Sequence, residues 1–202
     1  MLRDFPVIAI PYPQKQIFVR LGGNLHRTTV PQETAAQVEK MGQAAFAVCH
    51  PRGRYAVLAV PEVREDAIRL ETDDLLRSCS FAKMCRGCIA VWCAAVTIGA
   101  ELTAFRDAQE NVSEQAICDA VGSESAEATM DFLHQLARRE LLRAGLTLSE
   151  HRFSAGYGDM KLDTQWLVNK ILQLSQIGIQ LTETAFMLPE KSVTAWAPIF
   201  QS

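Results

Sequence analysis

One long stretch of the chain carries apolar residues at the spacing of an α-helix. Between residues 113 and 144 they recur every three or four positions, and Gly145 follows the last of them. Such a stripe is the buried face of an amphipathic helix, and glycine commonly ends a helix. The sequence therefore predicts a helix over about 113–144 whose buried stripe consists of Ala126, Met130, Leu133, Ala137 and Leu141.

Shorter helices are predicted on both sides of this one. Thr29 or Val30 followed by Pro31 opens a helix, because proline is tolerated in a first turn. The acids in Thr72-Asp73-Asp74 favour the start of another, which would run to about Met84. Further helices are predicted over 13–20, from Ala100 onward, and over 163–177 with Gly178 at its end.

Continuous apolar runs predict β-strands. Residues 88–98 are apolar on both faces, which is typical of a fully buried strand, and 55–60 and 67–70 are shorter candidates. The runs 179–188 and 193–200 are joined by Pro189-Glu190-Lys191-Ser192, which predicts a terminal hairpin. Since helices and strands do not alternate regularly, we expect an α+β fold. Residues 1–202 would form a single domain with an antiparallel sheet packed with helices.

Composition narrows the classes of partner and location. The chain has 202 residues, 49% of them apolar, and a net charge of −3 spread along it without a basic stripe, so nucleic acid is not an expected partner. An acid and a proline within the first six residues argue against a secretory signal, and no apolar run reaches membrane-spanning length. We therefore expect a cytoplasmic protein without a membrane partner, whose cysteines are reduced.

Two ordered motifs carry a family resemblance. The first is Arg152-Phe153-Ser154-Ala155-Gly156-Tyr157, and the second runs from Leu181-Thr182-Glu183-Thr184 to Lys191-Ser192-Val193-Thr194. Together they resemble the S-adenosylmethionine-binding core of the activation domain of cobalamin-dependent methionine synthase. Shorter segments elsewhere, such as Thr97-Ile98-Gly99, are similar to small stand-alone members of that family. The resemblance implies the fold of that domain, with a twisted antiparallel sheet.

The resemblance also implies which residues bind S-adenosylmethionine. Arg152 would grip the carboxylate of the ligand through two parallel N–H bonds, and Gly156 would let the backbone approach it. Glu127, placed by matching Leu133-His134 to the family, would favour the ammonium or the sulfonium. The implied set is Arg152, Phe153, Ser154, Ala155, Gly156, Tyr157 and Glu127.

For several of these residues a purely structural interpretation stays open. Without the resemblance, Arg152 would be a surface arginine and Tyr157 a half-buried tyrosine. Glu127 lies beside the stripe of its helix and is equally explained as a solvated side chain. Thr182 and Glu183 are interpreted as structural, with pocket lining as the alternative. His134 is expected to be partly buried, whereas His26, His50 and His151 show no metal-ligand spacing.

In the family, the activation domain presents S-adenosylmethionine to cobalamin in the inactive Co(II) state, and reduction with methyl transfer restores methylcobalamin. The resemblance therefore implies an accessory protein that acts on a separate cobalamin-binding methyltransferase, most simply methionine synthase in methionine biosynthesis. No Asp-x-His-x-x-Gly sequence occurs in this chain, so the partner would supply the cobalamin. An electron donor such as flavodoxin or ferredoxin is implied as well.

Two other functions remain open from the residues. The first is an independent S-adenosylmethionine-dependent methyltransferase, although the chain has no glycine-rich loop after a first strand and no evident base. The second is a metal or iron–sulfur protein, since Cys85 and Cys88 form a metal-type pair near Cys79 and Cys93. Against it, Cys93 lies in an apolar run, and cysteine is a common core residue.

Overall fold

The computed structural model describes residues 2–23 and 31–202. The helix start predicted at Thr29 or Val30 lies outside the described residues, as does His26. The helices are α1 Gln14–Arg20, α2 Gln32–Ala47, α3 Cys79–Met84, α4 Glu101–Asp107, α5 Val112–Arg143 and α6 Thr164–Leu172, followed by a 3-10 helix at Leu174–Ile177. The strands are β1 Leu2–Phe5, β2 Arg52–Ala59, β3 Glu62–Val63, β4 Ala67–Arg69, β5 Leu75–Arg77, β6 Ala90–Thr97, β7 Leu146–Leu148, β8 Gln180–Leu181, β9 Met187–Leu188 and β10 Ser192–Gln201.

An antiparallel sheet forms the centre of the fold. Its order is β1-β2-β6-β10-β7, so β6 is hydrogen-bonded on both sides. Every residue of β6 is buried, which confirms the buried strand predicted over 88–98. Small sheets of β3-β4-β5 and β8-β9 lie outside it. The predicted α+β class is confirmed.

Helices and loops cover both faces of the central sheet. On one face Trp92 and Ala94 of β6 pack in a cluster with Met130 and Leu133 of α5. On the other face, Cys93 belongs to a cluster that includes residues of α3, α6 and the 3-10 helix. Side chains alternate between the faces of a strand, so a strand covered on both faces is apolar throughout. This covering explains the apolar run of β6.

The longest predicted helix is confirmed as α5. Its first turn is capped by Asn111, whose side chain accepts a hydrogen bond from the N–H of Ser113 at 2.9 Å. Leu133 and Met130 are fully buried, as the stripe predicted. Within the described residues, no helix combines the length and the apolar character needed to cross a membrane.

The helix predicted over 72–84 is wrong in its first half. Leu70–Asp74 form a tight turn between β4 and β5, in which Asp73 has a φ of 62° and the N–H of Leu70 donates to the carbonyl of Asp74 at 2.9 Å. The acids therefore belong to a turn, where Asp is also favoured. Helix α3 begins only at Cys79, after the N-cap Ser78.

The predicted terminal hairpin is also wrong. β10 pairs with β6 and β7 in the central sheet, while β8 and β9 pair with each other within the run 179–188. Pairing with β6 along Ser192–Ile199 buries most of β10, which a hairpin with the partly exposed β8 and β9 would not do. The helix predicted over 163–177 is divided at Gln173, where φ is 50°.

Candidate functional site

Residues 152–160, which we name the arginine turn, lie between β7 and α6 and contact the middle of α5. The segment before the turn is held by His134 of α5, whose Nε2 lies 2.9 Å from the carbonyl oxygen of Ser149. Phe153 then pairs with Trp196 of β10, through N–H to carbonyl hydrogen bonds of 2.8 and 2.7 Å. The start of the turn is thereby attached to the central sheet.

Phe153 attaches the turn to the core through its side chain as well. The residue is 9% exposed, and its ring lies 5.8 Å from that of Phe81 in α3 and 5.9 Å from that of Tyr157. Phe153 therefore contributes to the site as an anchor that packs against the core. Tyr157 itself is 72% exposed, so its ring and hydroxyl are open to a ligand or a partner.

The backbone of the turn folds back on itself. The N–H of Tyr157 donates to the carbonyl of Ser154 at 3.1 Å, and the N–H of Gly156 donates to the carbonyl of Met160 at 2.9 Å. Gly156 has a φ of 83°, a conformation that side chains with a Cβ resist. A Cβ on Gly156 would also lie 3.3 Å from Leu162 Cδ1. The backbone conformation therefore favours glycine here, and a Cβ would need a small shift of Leu162.

Arg152 meets two carboxylates of α5. Its Nη1 lies 2.7 Å from Asp131 Oδ1, and its Nη2 lies 3.5 Å from Glu127 Oε2. The Arg152 side chain is only 22% exposed, whereas the side chains of Glu127 and Asp131 are 49% and 57% exposed. The predicted pair of Arg152 and Glu127 is thus brought together, with a net charge of −1 for the three side chains.

One atom of this cluster is left without a hydrogen bond. Arg152 Nη1 is buried and has no hydrogen-bond partner among the described residues, although Asp131 Oδ1 is close enough for an ion pair. The ion pair with Asp131 lacks the alignment of a hydrogen bond, and a buried guanidinium N–H without an aligned acceptor favours an additional one. The carboxylate of an amino acid has the charge and the planar geometry to be that acceptor.

Asp131 is the member of this cluster that sequence reasoning missed. It follows Glu127 by four residues in a long helix, and residues at this spacing lie on the same helix face. That spacing could have identified it. His134 lies nearby and is 7% exposed, so it is more deeply buried than the partial burial predicted. Burial, followed by the nearby Arg152 and Arg138, lowers the pKa of His134, so this side chain adds no positive charge.

The first part of the second sequence motif lies in a separate turn between β8 and β9, and its last residues begin β10. The N–H of Thr182 donates to the carbonyl of Phe186 at 2.8 Å, and its hydroxyl accepts from the N–H of Phe186 at 3.0 Å. Glu183 is exposed at the tip of this turn. The contacts of Thr182 therefore close the β8-β9 loop.

The cysteines do not form a metal-binding group in the described residues. Cys79 is exposed at the start of α3 and Cys85 is buried at its end, about 9 Å away along the helix axis at ~1.5 Å per residue. Cys85 and Cys88 share a hydrogen bond that raises the pKa of Cys85 and lowers that of Cys88. Cys93 is buried in β6. The geometry gives the metal hypothesis no support.

An apolar cavity lies elsewhere. A space of about 420 Å³ between α1 and α2 is lined by Ile17, Phe18 and Val38 and by no residue of the arginine turn. Part of its rim, Gly22 and Gly23, adjoins the residues that are not described. We therefore identify the site by the charges that meet at Arg152 rather than by volume.

Comparison with known structures identifies the fold. The crystal structure of the MetH reactivation domain bound to AdoHcy matches this chain with a TM-score of 0.70 and 19% sequence identity, over 98% of this chain and 78% of that one. The chain has the fold of the MetH reactivation domain. No family model matches the sequence, and no curated protein matches it either. The resemblance seen in the sequence is thus confirmed at the level of the fold.

Proposed function

We propose that this protein binds S-adenosylmethionine at the arginine turn and serves as a reactivation protein for a cobalamin-dependent methyltransferase. The observation that carries the proposal is the mostly buried guanidinium of Arg152, which lies beside two half-exposed carboxylates and makes no hydrogen bond through Nη1 among the described residues. The proposal is also supported by the fold, which the chain shares with a reactivation domain that binds AdoHcy.

The charges of the cluster suit the amino-acid end of this ligand. Arg152 would bind the carboxylate, while Glu127 and Asp131 would attract the ammonium and the sulfonium. S-adenosylmethionine carries a net charge of +1 at neutral pH, and the cluster of one guanidinium and two carboxylates complements it. Because the two acids are half exposed, water weakens their attraction for the ligand. We therefore expect the acids to contribute little to the total affinity and to act mainly in the preference for the positively charged sulfonium over the neutral sulfur of AdoHcy.

The turn supplies the remaining groups in the proposal. Ser154, Ala155 and Gly156 would present backbone to the adenosine, and the exposed Tyr157 would pack against it or against the partner. Phe153 would act through its packing. The proposed role in reactivation makes the cobalamin part of the partner, which would be methionine synthase or another corrinoid methyltransferase in the cytoplasm. The free thiols accord with that reducing compartment.

Two measurements test the proposal. Calorimetry should show saturable one-to-one binding of S-adenosylmethionine and of AdoHcy to the purified chain. Cob(II)alamin on a corrinoid methyltransferase should then become methylcobalamin when this protein, S-adenosylmethionine and reduced flavodoxin or ferredoxin are present together. Omitting the protein or the reductant should abolish the spectral change. Methylation of other acceptors without a corrinoid protein would instead indicate an independent methyltransferase.

A further inference from the structure

The arginine turn has a second attachment at its far end, where Asp159 reaches helix α3. Asp159 Oδ1 accepts a hydrogen bond from the hydroxyl of Ser78 at 2.7 Å, and Oδ2 accepts from the N–H of Cys79 at 2.5 Å. The N–H of Ser80 lies 3.2 Å from Oδ2. The hydrogen bonds from Ser78, and next those from Ser80 and Cys79, hold the pKa of the Asp159 carboxyl well below its usual range. The carboxylate therefore stays charged near neutral pH.

Helix α3 has a cap of its own. The Ser78 hydroxyl oxygen, at the N-cap, accepts from the N–H of Phe81 at 3.0 Å, which is the usual way a serine satisfies a first turn. Phe81 is fully buried and holds the helix in the core. Since α3 is capped and packed in this way, the main effect of the Asp159 carboxylate falls on the turn that carries it.

The turn needs such an attachment because its middle lies in solvent. Residues 156–159 are exposed, and their backbone contacts are mostly with each other. At the near end the turn is held by Phe153 against Trp196, and at the far end Met160 is buried. In the part of the chain that the structure describes, Asp159 supplies the side-chain hydrogen bonds that join the exposed segment to another helix.

A turn that is ordered before the ligand arrives binds it better. Ordering a backbone segment costs conformational entropy, and a ligand that must order its own site loses that part of its binding free energy. We propose that Asp159 is a positioning residue that preorganises the arginine turn for the adenosyl ligand without contacting it. This inference rests on the proposed function.

The test is the affinity of Asp159→Ala for S-adenosylmethionine and for AdoHcy. We expect about tenfold weaker binding of both ligands, equivalent to about 1.4 kcal/mol. The ratio of the two affinities should stay the same, because a preorganised turn serves both ligands equally. A direct attraction between Asp159 and the sulfonium would weaken S-adenosylmethionine alone. The backbone N–H of Gly156 should also exchange faster with solvent in the ligand-free variant.

Asp163→Ala is the matched control. Asp163 lines the same cavity of about 370 Å³ beside α3 and carries the same charge, but it makes no side-chain hydrogen bond as N-cap of α6. The Asp163→Ala variant should bind both ligands with wild-type affinity. Asp159→Asn keeps one acceptor oxygen and should lose only about threefold, roughly half of the same free energy.

Three outcomes would overturn the inference. The first is that Asp159→Ala binds S-adenosylmethionine and AdoHcy as tightly as a wild-type protein that does bind them. The second is a loss confined to S-adenosylmethionine. The third outcome matters if Asp159→Ala fails to fold. In that case, wild-type affinity in Asp159→Asn would overturn the inference. A wild-type protein that binds neither ligand would be a different result, since it removes the proposed function itself.

Discussion

Replacing Arg152 probes the proposed site most directly. Arg152→Ala removes a guanidinium that is 22% exposed and whose Nη1 has no hydrogen bond among the described residues. A hydrogen bond between charged groups contributes about 1.5–3 kcal/mol when it is largely removed from water. Because Arg152 keeps partial access to solvent, we expect a loss of about 2 kcal/mol, or roughly 30-fold in affinity for S-adenosylmethionine. Arg152→Lys keeps the charge but lacks the two parallel N–H donors of the guanidinium, so it should lose less affinity than Arg152→Ala but still bind more weakly than wild type.

The assay can also locate the loss on the ligand. AdoHcy and 5′-methylthioadenosine are both uncharged at sulfur, but only AdoHcy has the amino-acid end. Calorimetry should show that Arg152→Ala weakens AdoHcy by about 2 kcal/mol and leaves methylthioadenosine within about 0.5 kcal/mol of its wild-type affinity.

Arg138→Ala is the matched control for Arg152. It also removes an arginine that pairs with an acid near α5, at 3.0 Å from Glu150, but its side chain is 42% exposed. The Arg138→Ala variant should bind both AdoHcy and methylthioadenosine with wild-type affinity. Equal losses for AdoHcy and methylthioadenosine, or unchanged binding in Arg152→Ala, would refute the assignment of the carboxylate to Arg152.

Three further outcomes are expected. Combining Glu127→Gln with Asp131→Asn should lower the preference for S-adenosylmethionine over AdoHcy by about threefold to tenfold in calorimetry, since the loss falls on the cation. His134 has a lowered pKa in the folded protein, so its stabilising contribution is complete above about pH 6.5 and is lost as pH falls below that value. His134→Gln should therefore make the free energy of unfolding in urea fall less between pH 7 and pH 5, and an unchanged pH dependence would contradict this reasoning. Gly156→Ala should cost about 1–3 kcal/mol in the same unfolding measurement, because φ is 83° there; an unchanged free energy of unfolding would contradict this strain.

Prediction from sequence succeeded where one local pattern dominates. The apolar stripe of α5 and the continuous apolar run of β6 each have a single structural solution, and both elements appear close to their predicted bounds. Prediction failed at residues 72–74 and in the tail. Acids are favoured both in first helical turns and in tight turns, so composition alone could not choose between them.

Pairing of the strands was decided outside the local sequence. The run that became β10 could form a hairpin with its neighbour, yet it pairs with β6. Ser192 pairs with Thr97, which lies 95 residues earlier, and Ile199 pairs with Ala90, which lies 109 residues earlier. The gain comes from burial between two layers, and no short segment reveals which layers will form.

The candidate site divides in the same way. The sequence by itself determined the Arg-x-x-x-Gly-Tyr motif, the glycine that its turn requires and the long helix beside it. Only the tertiary structure decided that Asp131 would join Glu127 at Arg152, and that Asp159 would bind the start of α3 from 80 positions away. The four-residue spacing shows in the sequence that Glu127 and Asp131 share a helix face. Charge pairing between distant segments acts over a few ångströms in space and carries no signal along the chain, so the pairing of that face with Arg152, and of Asp159 with α3, becomes visible only in the folded structure.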